Sequence, residues 1–554
     1  MIDRYSIVTL IFFILSVTFV IYPWSFYVHL PYFGRRKIPV NLNTAPILAI
    51  AILWAAQCIG ATDIRNGIVG TDGLKPYNVL ILFITLAYMS ITLDATGLLK
   101  AVAFWVSNKG GTSGPRLYIY FYAMLTLLTV FIGNDPVILS GTVFLLYYTQ
   151  ANDLEPLPWL MSEFTAANTA SMVLFLGNPT NVVICEGFGV NNVAFTAYTI
   201  LPFVACCICG LVALGFQFRD PKHIPRRLQR QDYLDPRDVL HDPIGAWVGS
   251  FIFGACLVVI IVVSFFHIDV WKISLPFALA KLAFDMFWDH RRYVRGQFTS
   301  EAENDPTEDS RVGVGVGRPI ACSAAGGTEE ADKTAHVYPP RVMDKKEGAL
   351  QEKEVTATAM NSHGKHSLLP TTFVAYLARV REQWAQHFPT LATAIPRLPL
   401  ALVPFAFSQF ILIEGLARRG WIDVFATWYL RATDGALHPT IWLIGVLSIA
   451  LCNCAGTNIG ATILLAKVLR AAPGVPPPTL RAAAIALAVG SNIGAVGATF
   501  CASLAGLLWA GILRQRGVVV RQRTFAYWNL LPLFVMAGAG LGVVSAEMAV
   551  LYRK

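Results

Sequence analysis

The chain has 554 residues, 55% of them hydrophobic and only 14% charged, with 43 Lys and Arg against 34 Asp and Glu for a formal net charge of +9. A soluble domain carries about 25% charged residues, so a mean hydropathy of +0.55 excludes that class and leaves a polytopic α-helical membrane protein. The positive surplus is not a nucleic-acid signal, because Arg and Lys fall in short segments between apolar runs, and ten cysteines without a CxxC pair argue against a disulfide framework or a structural zinc site.

Tyr5–Tyr22 lacks a strongly basic leader and a small-residue cleavage site, and reads as a retained first span. A loop carrying Arg35, Arg36 and Lys37 joins it to a second span, Thr44–Ala61. A third runs from Asn78 to Thr92, into Asp94-Ala-Thr-Gly97 and an amphipathic piece ending near Ser107. Leu117–Gln150 follows, interrupted at Gly133-Asn-Asp-Pro136. As one helix it would extend about 50 Å, too long for a hydrocarbon core of roughly 30 Å. A re-entrant hairpin over 117–150, its tip at Asn134–Pro136 near the membrane midplane, resolves the mismatch. The next span, 157–186, breaks at Gly177–Asn181, where Pro179 removes a backbone donor and disfavours helix in Asn178. Freed backbone groups are tolerated at membrane depth only inside protein or facing a water-filled cavity.

Ala194–Phe216 is followed by a basic cytoplasmic loop, 217–243, with Arg219, Lys222, Arg226, Arg227, Arg230 and Arg237, and by spans at Ile244–Phe266 and Ser274–Trp288. Residues 289–390 read as a cytoplasmic disordered linker, poor in large apolar residues. It ends in an interfacial helix over 374–388, where Leu377, Val380, Trp384 and Phe388 oppose Arg379, Arg381 and Glu382. Deletion of 300–368 is expected to leave an inserted, monodisperse and transport-competent protein, which size exclusion and a transport assay of the deletion variant check.

The second half repeats the first. Leu398–Gly415 leads into Glu414-Gly-Leu, echoing Asp94, and Trp421–Leu430 is again a short amphipathic piece. A second hairpin, 441–470, is interrupted at Asn453–Asn458, and a second long span, 481–513, at Gly490–Thr499; Thr524–Leu551 closes the chain. With the loop at Arg35 on the cytoplasmic side, all the basic loops fall there, as the positive-inside bias requires. The expected architecture is an all-α polytopic membrane protein of inverted repeats, with about ten spanning helices, two re-entrant hairpins and two unwound helices. The first repeat occupies 1–216, and the second 244–288 and 391–554.

These residues resemble the arsenical-pump membrane proteins, the arsenite permeases of the ion-transporter superfamily. The likeness rests on Leu93-Asp94-Ala-Thr-Gly, Gly133-Asn-Asp135, Asn168-Thr-Ala-Ser171 and Gly177-Asn-Pro-Thr-Asn181 in the first half. In the second half it rests on Asn453–Asn458, Gly490-Ser-Asn-Ile-Gly494 and Ala498-Thr-Phe-Cys-Ala-Ser-Leu504 followed by Arg514-Gln-Arg-Gly517. It implies two hairpins and two unwound helices meeting at one site in a transport domain that moves against a scaffold. Asn168 stands where those permeases would carry Asp, and both tips lack the Ser-Asn-Thr of dicarboxylate symporters.

The candidate substrate-binding residues are Asn134, Asn168, Thr169, Ser171, Gly177, Asn178, Thr180, Asn181, Asn453, Thr457, Asn458, Ser491, Asn492 and Thr499. Arsenite and antimonite are uncharged trihydroxy species at neutral pH, and neutral amides, hydroxyls and unwound backbone suit them. A dicarboxylate would recruit a cation or helix N-termini, and no Arg or Lys stands at the tips or breaks. Asp135 is the candidate proton-coupling group, since a carboxylate at a membrane hairpin tip is costly unless it functions; it could also cap the helix that begins at Pro136. Asp94 and Glu414 are either further coupling sites or turn caps. Cys185, Cys452, Cys454 and Cys501 lie beside the four motifs but read as packing residues, because tight thiolate ligation would hinder release of arsenic.

Secondary transport of arsenite or antimonite in exchange for protons is the leading expectation, in the plasma membrane or an internal one. The same machine could carry silicate, sodium in antiport with protons, or a carboxylate such as citrate. HExxH, GxSxG and paired intramembrane His are missing, which argues against an enzyme, and no cofactor or nucleotide motif is present, so ATPase drive would need a partner chain. A homodimer stays open.

Overall fold

The computed structural model describes residues 2–30, 34–71, 73–228, 235–263, 266, 268–296 and 371–553. They fall into two compact units, one drawn from 1–281, 397–516 and 520–554, the other from 282–396 and 517–519.

The larger unit is helical almost throughout. Nine helices among the described residues are long and apolar enough to cross a membrane: Arg4–Ile21, Pro76–Ala95, Gly114–Ile132, Asn192–Gln217, Pro243–Val263, Pro389–Arg418, Leu437–Cys454, Pro477–Val496 and Gln522–Leu551. The all-α polytopic expectation therefore holds. Burial sorts these helices. Pro477–Val496 is 89% buried over its apolar window and forms the centre, whereas Asn192–Gln217, Pro243–Val263 and Gln522–Leu551 are buried by a third or less. The central helix can be so enclosed because its neighbour comes very close. A Cβ on Gly490 would meet the Ser448 hydroxyl and the Gly445 carbonyl of Leu437–Cys454 at 2.2 and 2.7 Å. Without hydrophobic drive between helices in lipid, such small-residue seams supply the packing that holds a bundle together.

Three expectations need correction. The loop at Arg35 to Lys37 is a two-stranded antiparallel ribbon, β1 (Trp24–Leu30) against β2 (Gly34–Val40), with Trp24 opposite Val40. The second span shrinks to Thr44–Ala55, because Gln57 takes φ +56° and the chain turns into a separate short helix, Ala61–Val69. The linker begins later than 289, since the helix Trp271–Val294 runs through that position.

In the smaller unit the Asp289 carboxylate accepts from the Thr390 amide (2.9 Å) and hydroxyl (2.8 Å). That pair ties together the two ends of the segment read as a linker. The helix expected at 374–388 is present as Thr371–His387. Residues 297–370, which carry the disorder expectation and the proposed deletion, lie outside the described residues.

Turns interrupt the helices at all four expected places, and the first arms of the two hairpins, Gly114–Ile132 and Leu437–Cys454, are each long and apolar enough to cross a membrane by themselves. The first hairpin joins Gly114–Ile132 to Asn134–Ala151 through Gly133, at φ +91°, a conformation that costs an L side chain dearly. The second joins Leu437–Cys454 to Asn458–Ala471 through Gly456, at φ +90°. The first broken helix runs Pro156–Ala170, then a 3-10 turn Phe175–Gly177, then Pro179–Phe188. The second runs Pro477–Val496, Phe500–Ala502, Leu504–Gln515. The two halves thus reuse the same devices at matched positions.

Candidate functional site

A small pocket brings the four interruptions together. It is lined by Asn134 and Asp135 from one hairpin tip, Asn458 and Ile459 from the other, Asn178 and Pro179 from the first break, and Ser503 and Leu504 from the second, with Phe83 closing one side. Each of these pairs stands at the start of a helix: Asn134–Ala151, Asn458–Ala471, Pro179–Phe188 and Leu504–Gln515. The N-terminal, positive ends of four helix dipoles therefore converge on one small volume. Although the tips carry no Arg or Lys, these helix ends suit an anion. The helix ends add positive potential to a pocket that Asp135 also lines.

Hydrogen bonds separate the residues that build this pocket from those free to use it. Asn492 donates to the Asn181 side-chain oxygen (2.8 Å) and the Ala488 carbonyl (2.9 Å), and accepts from Ser171 (2.9 Å) and Asn178 (3.2 Å). Asn181 donates in turn to the carbonyls of Ser171 (2.8 Å) and Leu174 (2.9 Å) inside the break. The two broken helices are thus pinned to each other by amides whose bonding capacity is spent within the protein. The Asn178 oxygen caps its helix by accepting from the Thr180 amide, and Ser503 does the same for Gly506. Asn453 fixes the second break, its oxygen accepting from the amides of Ala498 (2.8 Å) and Thr499 (3.1 Å) and the Thr499 hydroxyl (3.2 Å). Thr457 caps Asn458–Ala471 through the Gly460 amide.

Gly177 is required by space. A Cβ there would lie 2.3 Å from the Ser171 carbonyl oxygen and 3.0 Å from its Cα, both backbone atoms that cannot yield. Gly177→Ala is expected to cost about 1–3 kcal/mol as an overpacked core and to lower transport, read by thermal unfolding in detergent and by flux.

Three candidates remain available for a solute. The side chains of Asn134, Asp135 and Asn458 are buried, line the pocket and have no side-chain hydrogen bond among the described residues. Asp135 does not cap its helix, because Gly133 occupies the cap position and no side chain bonds there. Counting from the positive-φ glycines, Asp135 and Asn458 are equivalent positions, so the pocket has one acidic tip and one neutral tip.

Other candidates sit elsewhere. Thr169 donates to the Met536 sulfur, Ser491 to the Ala488 carbonyl, and Asn168 to the Phe164 carbonyl, its own oxygen left without a partner among the described residues. Thr180 is buried with its hydroxyl likewise unpartnered. Asp94 takes a hydrogen bond from Ser140 and faces Arg397 at 3.5 Å, while Glu414 pairs with Lys467 at 2.7 Å and accepts from Thr71. Neither lines the pocket, and they are not strict equivalents. Asp94 precedes its positive-φ glycine, Gly97, by three residues, and Glu414 precedes Gly420 by six, close to one turn further back. Among the four cysteines, Cys185 lines a cleft of about 350 Å³ elsewhere and none lines the pocket.

Ser503, Arg397 and Lys467 escaped the sequence reading. Ser503 was findable, as a capping residue where the second span restarts after its break. The two cations owe their roles to partners 303 and 53 residues away.

On the outer edge, the Lys75 ammonium bonds Asp269 at 3.0 Å, and that hydrogen bond raises the lysine above its ordinary pKa. Asp269 is held below the usual carboxylate range, first by its hydrogen bond from Lys272 and also by Lys75. This pair lines the same cleft as Glu186, Asn191 and Asn192.

A bundle of apolar helices broken at a shared polar pocket defines a class, the multi-pass membrane transport proteins. Residues 37–294 match a family described as citrate transporter (CitMHS). The arsenical pump membrane protein of Escherichia coli strain K12 is 24% identical over 228 residues, 40% of this chain and 52% of that protein. A putative arsenical pump membrane protein of Bacillus subtilis strain 168 is 25% identical over 196 residues, 34% of this chain and 43% of that one. The chain spans about half the length of the curated relatives it matches. The YdaH transporter of Alcanivorax borkumensis, known from a crystal structure, aligns over 99% of both chains at 12% identity and a TM-score of 0.44. Over these stretches the chain is similar to citrate-transporter and arsenical-pump membrane proteins, and the nine apolar helices among its described residues make it an integral multi-pass membrane protein.

Proposed function

We propose that the chain is a secondary active carrier that exports arsenite or antimonite in exchange for protons, with the solute held at the pocket between the hairpin tips. The observation that carries this reading is the juxtaposition of Asn134, Asp135 and Asn458, unpartnered and buried, at the meeting point of four helix N-termini. A small trihydroxy solute would find amide and backbone donors and acceptors on several sides, and Asp135 is the one ionisable group lining the pocket, suited to take up and give back a proton. The remaining Asn, Ser and Thr candidates act by shaping the breaks. The arsenical-pump relatives agree with this solute.

A second reading is favoured by the same four helix N-termini, which suit a carboxylate such as citrate, the solute named in the matched family's description. A host lacking its own arsenite pump, expressing this chain, separates the two. Growth on arsenite, antimonite, germanate and high sodium, with citrate uptake measured alongside, is expected to show raised tolerance to the two metalloids. Unchanged metalloid tolerance with new citrate uptake would replace the first reading by the second.

A further inference from the structure

We propose that the ribbon Trp24–Val40 is a membrane-surface anchor that binds anionic phospholipid headgroups. Its strands connect the ends of two apolar helices, Arg4–Ile21 and Thr44–Ala55, with two residues on one side and three on the other. So short a tether holds the ribbon at the level where hydrocarbon gives way to headgroups. Alternation sorts its side chains. Trp24 opposite Val40 and Phe26 opposite Ile38 share one face, and Tyr27 opposite Lys37 and His29 opposite Arg35 share the other. The first face leans on the protein through Trp24, which stacks on Phe19 with ring centroids 6.4 Å apart, and through Val40, which is buried. On the second face Tyr27, His29, Arg35 and Lys37 are all exposed, and the Arg35 guanidinium lies 4.5 Å from the Tyr27 ring centroid.

An isolated two-stranded ribbon is marginal in water, and on its basic face this one exposes 57% of Tyr27. Amphipathic aromatic rings settle at the headgroup level, and clustered Arg and Lys beside a span attract anionic lipid. Charge and ring placement together select an anionic bilayer surface as the occupant. The ribbon's role is independent of which solute the carrier moves.

The test uses the full-length protein in detergent with fluorescent phosphatidylglycerol or phosphatidylcholine as the probe. Wild type is expected to prefer phosphatidylglycerol, and Arg35→Gln with Lys37→Gln to reduce that preference about tenfold or more. The charge-preserving exchange Arg35→Lys with Lys37→Arg must keep it, and Lys37→Gln alone, the milder change, must show a partial loss. An unchanged preference in the glutamine variants overturns the proposal. So does conversion of a dimer to a monomer by mass photometry in those variants, which would assign the face to a second copy of the chain.

Discussion

Asp135→Asn is expected to reduce pH-driven uphill transport to the level of empty vesicles while leaving solute exchange in place. Asparagine keeps the shape of the side chain, its size and its hydrogen-bonding oxygen, and loses only the ability to ionise. If Asp135 loads and releases the coupled proton, counterflow of labelled arsenite across vesicles, which needs no net proton movement, persists in the variant. Gradient-driven accumulation in inverted vesicles disappears. A merely structural role predicts instead that Asn substitutes with little loss, since the side chain makes no capping bond to forfeit. Undiminished gradient-driven uptake would remove Asp135 from coupling and leave Asp94 and Glu414 as the acidic groups to test.

Asn492→Leu is expected to produce the largest loss of stability in the chain. Asn492 is fully buried and makes four hydrogen bonds, three of which tie the central helix to the first break. Leucine keeps the branching at Cγ and leaves the polar atoms of Ser171, Asn178 and Asn181 without this partner. Each buried orphan costs about 1–3 kcal/mol, and because the partners belong to one network the losses do not simply add. A total of about 3–5 kcal/mol is expected, seen as a clear fall in the thermal midpoint in detergent together with lost transport. A midpoint close to wild type would mean that the break is held by its backbone turns alone.

Much of the architecture was legible because it is enforced locally. Gly133 and Pro179 dictate backbone geometry by themselves, and a run of 117–150 cannot be one helix in a bilayer, whatever surrounds it. The four breaks were therefore placed from sequence. Their convergence was not, since nothing local says that the N-termini of Asn134–Ala151, Asn458–Ala471, Pro179–Phe188 and Leu504–Gln515 point at one another. The division of labour among the amides was equally hidden. Asn181 and Asn458 are the same residue type at similar interruptions, yet one is saturated by Asn492 and the Ser171 and Leu174 carbonyls and the other is unspent. The ribbon was missed because Arg35, Arg36 and Lys37 carry the signature of a connecting loop, while the alternation from Trp24 onward is short. Glu414 was matched to Asp94 by sequence echo, and the helix start at Gly420 reveals the offset that the echo concealed.

The central claim, proton-coupled movement of a neutral metalloid acid, is tested most directly by watching the proton. Inverted vesicles carrying the protein, loaded with a pH-sensitive dye and made acidic inside, are given arsenite from outside. Exchange predicts that each entry of arsenite carries protons out, so the lumen becomes more alkaline on addition, in wild type and not in Asp135→Asn. A lumen that does not respond to arsenite, yet responds to citrate, would contradict the account.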